Sequence, residues 1–304
     1  MSHDKLVQDA SVPVSEQPTR QSALYDRVAE QTASMIIREY STSFGLAARL
    51  LGKGVRQDVE NIYGLVRLAD EIVDGVAAYA GVSEKDIRLL LDDLEAETEA
   101  AMQRGYSTNL VVHAFALTAR RTGIEPDLTR PFFTSMRVDI TRVTHTPESF
   151  DKYVYGSAEV VGLMCLKAFL RGQDITDEQN DTFVTGARKL GAAFQKVNFL
   201  RDLSADVDAL GRSYFPGINI ATFSEEDKDR LVADIDSDLA ISGAIVPFLP
   251  STSRKAVALA QNLFAELNRR IARTPASELK HTRVSVPTLV KARLAIAALL
   301  GKTS

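Results

Sequence analysis

"NIYGLVRLADEIVDG", residues 61–75, places charge where a core helix should carry none. Ile62, Leu65, Val66, Leu68, Ala69, Ile72 and Val73 surround the helix that their spacing predicts. Among them stand Arg67 and two aspartates four apart, Asp70 and Asp74. At about 100° per residue, Tyr63, Arg67, Asp70 and Asp74 share a sector of roughly 60° and form one line along the helix. Read alone, that line is a solvated face with an Arg67–Asp70 ion pair worth a few tenths of a kcal/mol.

A second stretch favours another reading. "FQKVNFLRDLSAD", residues 194–206, carries Gln195, Asn198, Asp202 and Asp206 at spacings of three, four and four. Phe194, Val197, Phe199, Leu200 and Leu203 fill much of the remaining circumference. Two apolar helices that each keep one polar line can cover their hydrocarbon only by packing. If the lines face each other, four aspartates meet at one cavity, and burying them together requires a compensating cation. All-oxygen ligands suit a hard divalent ion, Mg²⁺ before Zn²⁺, with Mn²⁺ as a substitute. Such an ion keeps open positions for phosphate oxygens, and Arg67 and Arg201 supply direct phosphate contacts. Aliphatic and aromatic walls around a diphosphate site imply an isoprenoid diphosphate. Departure of its diphosphate leaves a carbocation that needs a dry pocket with aromatic faces. Tyr63, Tyr153, Phe44 and Phe199 are the candidates.

The rest of the chain agrees with a helical frame. It has 304 residues, 45% hydrophobic, enough for a sizeable core. Net charge is −4, which leaves no basic field for nucleic acid. One cysteine, Cys165, excludes an internal disulfide and fits a reducing cytoplasm. Residues 1–22 read as a disordered polar tail without the features of a signal peptide. From residue 23 onward the pattern is helical, with Leu24, Val28, Thr32, Met35 and Ile36 on one apolar face. Cap signals at Ser83, Thr146 and Thr176 punctuate the helices. Expected helices lie near 23–40, 42–51, 55–78, 84–104, 108–122, 127–143, 148–171, 177–207, 225–248, 252–274 and 287–301. No hairpin-like alternation and no fixed repeat is evident, so a single all-α bundle is expected. No apolar run reaches the roughly 18 residues of a membrane span, and residues 239–250 come nearest. His3, His113, His145 and His281 lack metal-ligand spacing, and "DDLEAETEA" (92–100) reads as a solvated face.

"YSTSFGLAARLL" (40–51), "RLADEIVD" (67–74), "YVYGSAEVVGLM" (153–164) and "NFLRDLSADVDALGRSYFP" (198–216) resemble, in order, the motifs of the phytoene/squalene synthase family. The resemblance implies a helical isoprenoid-synthase bundle with a central cavity, and head-to-head (1′–1) condensation of two prenyl diphosphates through a cyclopropyl diphosphate. By matching position it implies that Asp70, Asp74, Asn198, Asp202 and Asp206 hold Mg²⁺ and diphosphate. Arg67, Arg201, Arg212, Ser41 and Ser43 would contact diphosphate. Tyr63, Tyr153 and Gln195 would line the chamber, and Tyr214 would close it. Two positions depart from the pattern. Glu159 stands where the family usually has glycine, either adding a carboxylate near the chamber or pointing outward. Alanine stands where an acidic residue often precedes the last aspartate.

Phe44, Gly45, Ala47 and Ala48 bear on substrate length, because small side chains facing the pocket leave room for a longer tail. Close helix packing explains them equally well. The expected reaction is phytoene synthesis from two geranylgeranyl diphosphates without NADPH, in the cytoplasm. The alternatives are squalene or dehydrosqualene synthesis from farnesyl diphosphate, a one-substrate terpene cyclase, and a non-catalytic helical assembly factor. The hydrocarbon product suggests peripheral membrane contact near 239–250, with a buried helix there as the other reading. The sequence does not fix an oligomeric state.

Overall fold

A computed structural model describes residues 20–141, 144–203 and 214–300. Its order is α1 (Arg20–Tyr40), α2 (Ser43–Ala48), α3 (Lys53–Val73), α4 (Val76–Tyr79), α5 (Glu84–Arg104), α6 (Leu110–Thr122) and α7 (Pro126–Ile140). Then come α8 (Pro147–Val154), a π-helical turn (Tyr155–Glu159), α9 (Val160–Leu170) and α10 (Asp177–Arg201). The chain continues through α11 (Glu225–Ile245), α12 (Ser251–Arg273), α13 (Ala276–Leu279) and α14 (Thr288–Leu299). Single 3₁₀ turns occupy Ile220–Thr222 and Val246–Phe248. There is no strand among the described residues, so the all-α expectation holds.

The caps act as their chemistry requires. Ser83 Oγ accepts from the Asp86 N–H, and Thr146 and Thr176 each form a reciprocal capping box, with Ser149 and Gln179. Four boundaries differ from expectation. Helix α1 begins at Arg20, inside the segment assigned to the tail. Helix α3 stops at Val73 with Asp74 as its C-cap, and α4 is separate. Helix α10 ends at Arg201 with Asp202 as C-cap, and positions 204–207 lie outside the described residues. The 148–171 helix is interrupted by the π turn, a wider winding that hydropathy spacing does not reveal.

Helix α1 also turns a different face inward. Ala29, Ala33 and Ala114 pack together, while Leu24, Val28 and Met35 are exposed. Small residues win there because α1 lies close against α3: a Cβ at Gly64 would sit 3.3 Å from the Ala33 Cβ. The acidic run at 92–100 is not simply solvated. Asp92 and Glu95 pair with Arg137, and Glu99 accepts from both guanidinium nitrogens of Arg130, tying α5 to α7.

Two apolar clusters flank the centre. One gathers α3, α5, α6, α7 and α9 around Leu65, Leu91, Phe115, Phe133 and Met164. The other gathers α8, α10, α11 and α12 around Val197, Leu200, Ile235 and Ile271. Helices α9 and α10 meet backbone to backbone. A Cβ on Gly162 would stand 2.6 Å from the Ala187 carbonyl oxygen, and one on Gly191 would stand 2.5 Å from that of Ala158. Residues 147–170 have the length and composition of a membrane span by mean hydropathy (1.3), but half of that window is buried in the bundle. The 239–250 stretch is divided between core and surface: Leu239, Ile245, Val246 and Leu249 are buried, while Ile241 and Phe248 are exposed.

Candidate active site

A cavity of about 600 Å³ lies between the two clusters, walled by α2, α3, α9, α10 and α12. That size falls within the usual range for small-molecule sites. Helix α10 lines it from Gly186 to Arg201, a rise of about 22 Å along the axis. Composition changes along that length. Toward Gly186 the wall is Leu166, Phe169, Ile245, Leu249 and Val257. Toward Arg201 it becomes polar, with Ser41, Ser43, Arg67, Gln195, Asn198 and Arg283. Part of each polar line reaches this cavity, Tyr63 and Arg67 from α3 and Gln195 and Asn198 from α10, with Arg201 beside them; Asp70, Asp74 and Asp202 are not on its wall.

The α3 side is short of positive charge. Arg67 forms an ion pair with Glu71, and its guanidinium carbon stands 4.4 Å above the Tyr40 ring. Its buried Nε has no partner among the described residues. Asp70 keeps some accessible surface, yet protein crowds it on nearly every side. Burial pushes its pKa up to about 7; Arg67 opposes the rise, and Asp74 and Glu71 add to it. Tyr63, stacked on Phe44 at 5.7 Å, is raised by burial, while Arg67 and a hydrogen bond with Ser41 pull it back.

The α10 side is the reverse. Asp202 accepts from Arg201 Nε at 2.9 Å and Arg283 Nε at 2.6 Å. Burial raises its pKa, but the hydrogen bonds and charges of the two arginines outweigh burial and leave it below the usual carboxylate value. The C-terminal end of α3 is thus rich in carboxylate, and that of α10 rich in guanidinium.

An aromatic stack braces the second terminus. Phe199 and Tyr214 are nearly parallel at 4.0 Å, and Tyr153 lies 6.0 Å from Phe199 and 5.8 Å from Tyr214. The Tyr153 hydroxyl donates to Asp139 at 2.7 Å. Burial, then the nearby charges of Asp139, Tyr214 and Asp74, raise its pKa well above the normal phenol value.

Several expected positions take other roles. Tyr153 and Phe199 lie beside the cavity in this stack, not on its wall. Gly45 is not on the wall either; it faces α1, where a Cβ would meet the Ile37 carbonyl oxygen at 3.4 Å. Phe44, Ala47 and Ala48 do line it. Glu159 points outward and accepts from the exposed Arg188 at 2.6 Å. Asp206 and Arg212 lie outside the described residues.

Sequence reading missed several wall positions, among them Tyr40, Ser157 and Arg283. Tyr40 and Arg283 flank the polar end, and Ser157, on the π turn, carries a buried hydroxyl without a partner. Tyr40 and Ser157 stood within quoted motifs as unremarked letters. Arg283 is remote in sequence from every motif.

Among the described residues, no three carboxylate, histidine or cysteine side chains gather tightly enough to hold a metal ion. The α3 pair nevertheless has the character of a hard-cation site. Its donors are all oxygen, and burial with the neighbouring carboxylates holds the Asp70 pKa up at about 7 although Arg67 opposes the rise.

A helical bundle closed around a cavity that is apolar along its length and ionic at one end is the isoprenoid-synthase fold. Among solved structures, a dehydrosqualene synthase in complex with ligand superposes with a TM-score of 0.73 at 21% identity, covering 91% of this chain and 98% of the other. Squalene synthase HpnC from Alicyclobacillus acidocaldarius gives 0.69 at 18% identity, covering 83% of this chain and 97% of the other. The chain belongs to the squalene/phytoene synthase family, whose pattern matches residues 37–290. Its relatives include a 15-cis-phytoene synthase from Paracoccus sp., 30% identical over 188 residues. That match spans 61% of this chain and 59% of the Paracoccus protein. The phytoene synthase of Arthrospira platensis is 27% identical over 243 residues, spanning 76% of this chain and 73% of its own length.

Proposed function

We propose that this protein condenses two geranylgeranyl diphosphates head to head to form phytoene. The observation that carries the reading is the polarity gradient of the cavity, ionic between Arg67 and Arg201 and apolar back to Gly186. Relatives named phytoene synthase support the choice of product.

Each group then has a task. Arg67, Arg201 and Arg283 bind the anionic head, and Ser41 and Ser43 add hydroxyl donors beside it. Asp70 and Asp74 from α3, with Asn198 and Asp202 from α10, would hold Mg²⁺. When bound, that ion supplies Lewis-acid stabilisation of the departing diphosphate. The stacked Phe44 and Tyr63 rings present π faces to positive charge that develops in the chamber. Apolar walls exclude water, so the charge reacts with the second substrate's double bond instead of being quenched. The Asp202–arginine contacts yield as substrate enters, exchanging one anion for another.

The deciding experiment supplies purified protein with Mg²⁺ and either the C15 or the C20 diphosphate, with and without NADPH. Phytoene from the C20 substrate, independent of NADPH, is the expected result. Efficient turnover of the C15 substrate alone, giving dehydrosqualene or, with NADPH, squalene, would overturn the phytoene assignment.

A further inference from the structure

The apolar end of the chamber is closed by a thin wall. On its floor Ile245 lies across α10 where Gly186 has no side chain: a Cβ there would stand 2.4 Å from the Ile245 Cδ1. Leu249, fully buried, packs in the same cluster as Ile245, Leu166 and Phe183. Behind it lies a second cavity of about 300 Å³, and Leu249 stands on the wall of both. The backbone of that wall is pinned. The Leu249 N–H donates to the Val246 carbonyl at 3.2 Å, its carbonyl accepts from Arg254 Nε at 2.9 Å, and Pro250 follows as the N-cap of α12. The barrier is therefore a side chain on a fixed support.

The second cavity continues the first along the same helices. Helix α9 passes from Leu166 on the chamber to Leu170 on the second cavity, α10 from Gly186 back to Phe183, and α12 from Val257 back to Arg254, each within about one turn. Following α10 back to Gln179 adds about 10 Å to the 22 Å of the chamber. The added wall mixes apolar side chains, Ile175, Phe183 and Phe248 among them, with Gln173, Asp174 and Arg254. Tail lengths can be set against these distances. Three bonds carry an extended peptide about 3.5 Å, so a carbon chain advances about 1.2 Å per bond. On that scale a C15 tail spans about 13 Å, a C20 tail about 18 Å and a C25 tail about 23 Å. With the head held near Arg201, a C20 tail reaches the floor, a C15 tail stops short of it, and a C25 tail runs into Leu249.

From these two cavities on one axis, we infer that Leu249 is the septum that ends the tail channel at C20 length, and that the cavity behind it is a subsite for the next C5 unit of a longer prenyl chain. Truncating Leu249 joins the two spaces and leaves the polar end of the chamber untouched. The mixed polarity of the second cavity limits the gain to the unit that lies against its apolar side chains. The choice of prenyl diphosphates as ligands rests on the proposed function; the septum itself rests on the two cavities.

The test reads binding and turnover separately. Unreactive thiolodiphosphate analogues with C20 and C25 tails are titrated into the full chain with Mg²⁺ by calorimetry, and the matching diphosphates are assayed for turnover. Wild type should favour C20. Leu249→Ala should raise the C25-to-C20 ratio, in affinity and in kcat/KM, at least about tenfold, because a C5 unit gains apolar cover. Leu249→Val removes less of the side chain and should move the ratio the same way by less, which keeps the test readable if the Ala variant fails to fold. Adding Ile175→Trp to Leu249→Ala refills the second cavity and should cancel the gain. An unchanged ratio in a folded variant, a gain that survives Ile175→Trp, or a wild type that takes C25 as readily as C20 would overturn the inference. A wild type that binds the C20 analogue yet does not turn over the C20 diphosphate counts against the proposed function alone, and the binding ratio then decides the septum. Wild type that binds neither analogue overturns both.

Discussion

Arg283, in the segment before α14, donates to Asp202 at the C-cap of α10 across 81 positions of sequence. The contact joins two parts of the chain that meet only at the polar end of the cavity. It also means that Asp202 is already neutralised before any ligand arrives, with Arg201 as the second partner.

The first prediction follows from that pairing. Arg283 is 65% exposed, so its loss should cost little stability. Its charge is nevertheless aimed at the site of the anionic head. Arg283→Ala should raise KM for the diphosphate substrate about tenfold, the weight of one charge-assisted hydrogen bond, with Tm nearly unchanged. Steady-state kinetics and a melting curve separate the two effects. Equal KM in variant and wild type would remove Arg283 from the site.

Asp70 gives a pH prediction with a definite sign. Its folded pKa, about 7, lies above the ordinary value of 3.8. Between those values the folded chain keeps a proton that the unfolded chain has lost. The contribution to stability is full below about pH 4, declines as pH rises, and is gone above about pH 7. Metal-free protein should therefore lose stability across that window, and Asp70→Asn should flatten the loss. Mg²⁺ should restore more at pH 8 than at pH 5, because it binds the ionised form. The protein has no tryptophan, so circular dichroism melts are the suitable measurement. A wild-type profile parallel to that of Asp70→Asn would refute the assignment.

Ala48 tests the wall. It is buried, lines the cavity and sits one turn beyond Phe44 on α2. Ala48→Phe should fill space along the chamber and turn preference from C20 toward C15 substrate. The readout is the ratio of kcat/KM for the two diphosphates; an unchanged ratio would mean that the tails run elsewhere.

Gly191 tests the helix crossing. Ala there brings a Cβ to 2.5 Å from the Ala158 carbonyl oxygen, and backbone cannot step aside as a flexible side chain would. Gly191→Ala should lower stability by about 1–3 kcal/mol, measured by urea unfolding, and perturb activity because Gly191 also lines the cavity. Wild-type stability would show that α10 and the π turn separate more easily than their geometry suggests.

Hydropathy spacing located the long helices well because each has one face that must be buried. Helix α5 runs from Glu84 to Arg104, as its cap and pattern require. Spacing failed for α1, where alanines rather than larger residues make the close contact with α3. It also failed at the π turn, whose residues have ordinary helical composition. In the site, Arg67, Gln195, Asn198 and Arg201 were legible because a periodic polar line in an apolar helix needs a reason. Tyr153 and Phe199 were read as wall residues because a developing cation calls for aromatic faces, yet they stack with Tyr214 beside the cavity. Arg283 carried no periodic signal, since only tertiary folding brings it to Asp202.

Cys165 is the sole sulfhydryl in the chain and forms part of the cavity wall. Burial pushes its pKa to about 12, so almost none is thiolate near neutral pH. The thiol keeps some accessible surface on that wall, so an alkylating reagent meets it by entering the chamber. The molecule carries a built-in gauge of chamber occupancy, since a filled chamber would slow that chemistry without any label being added.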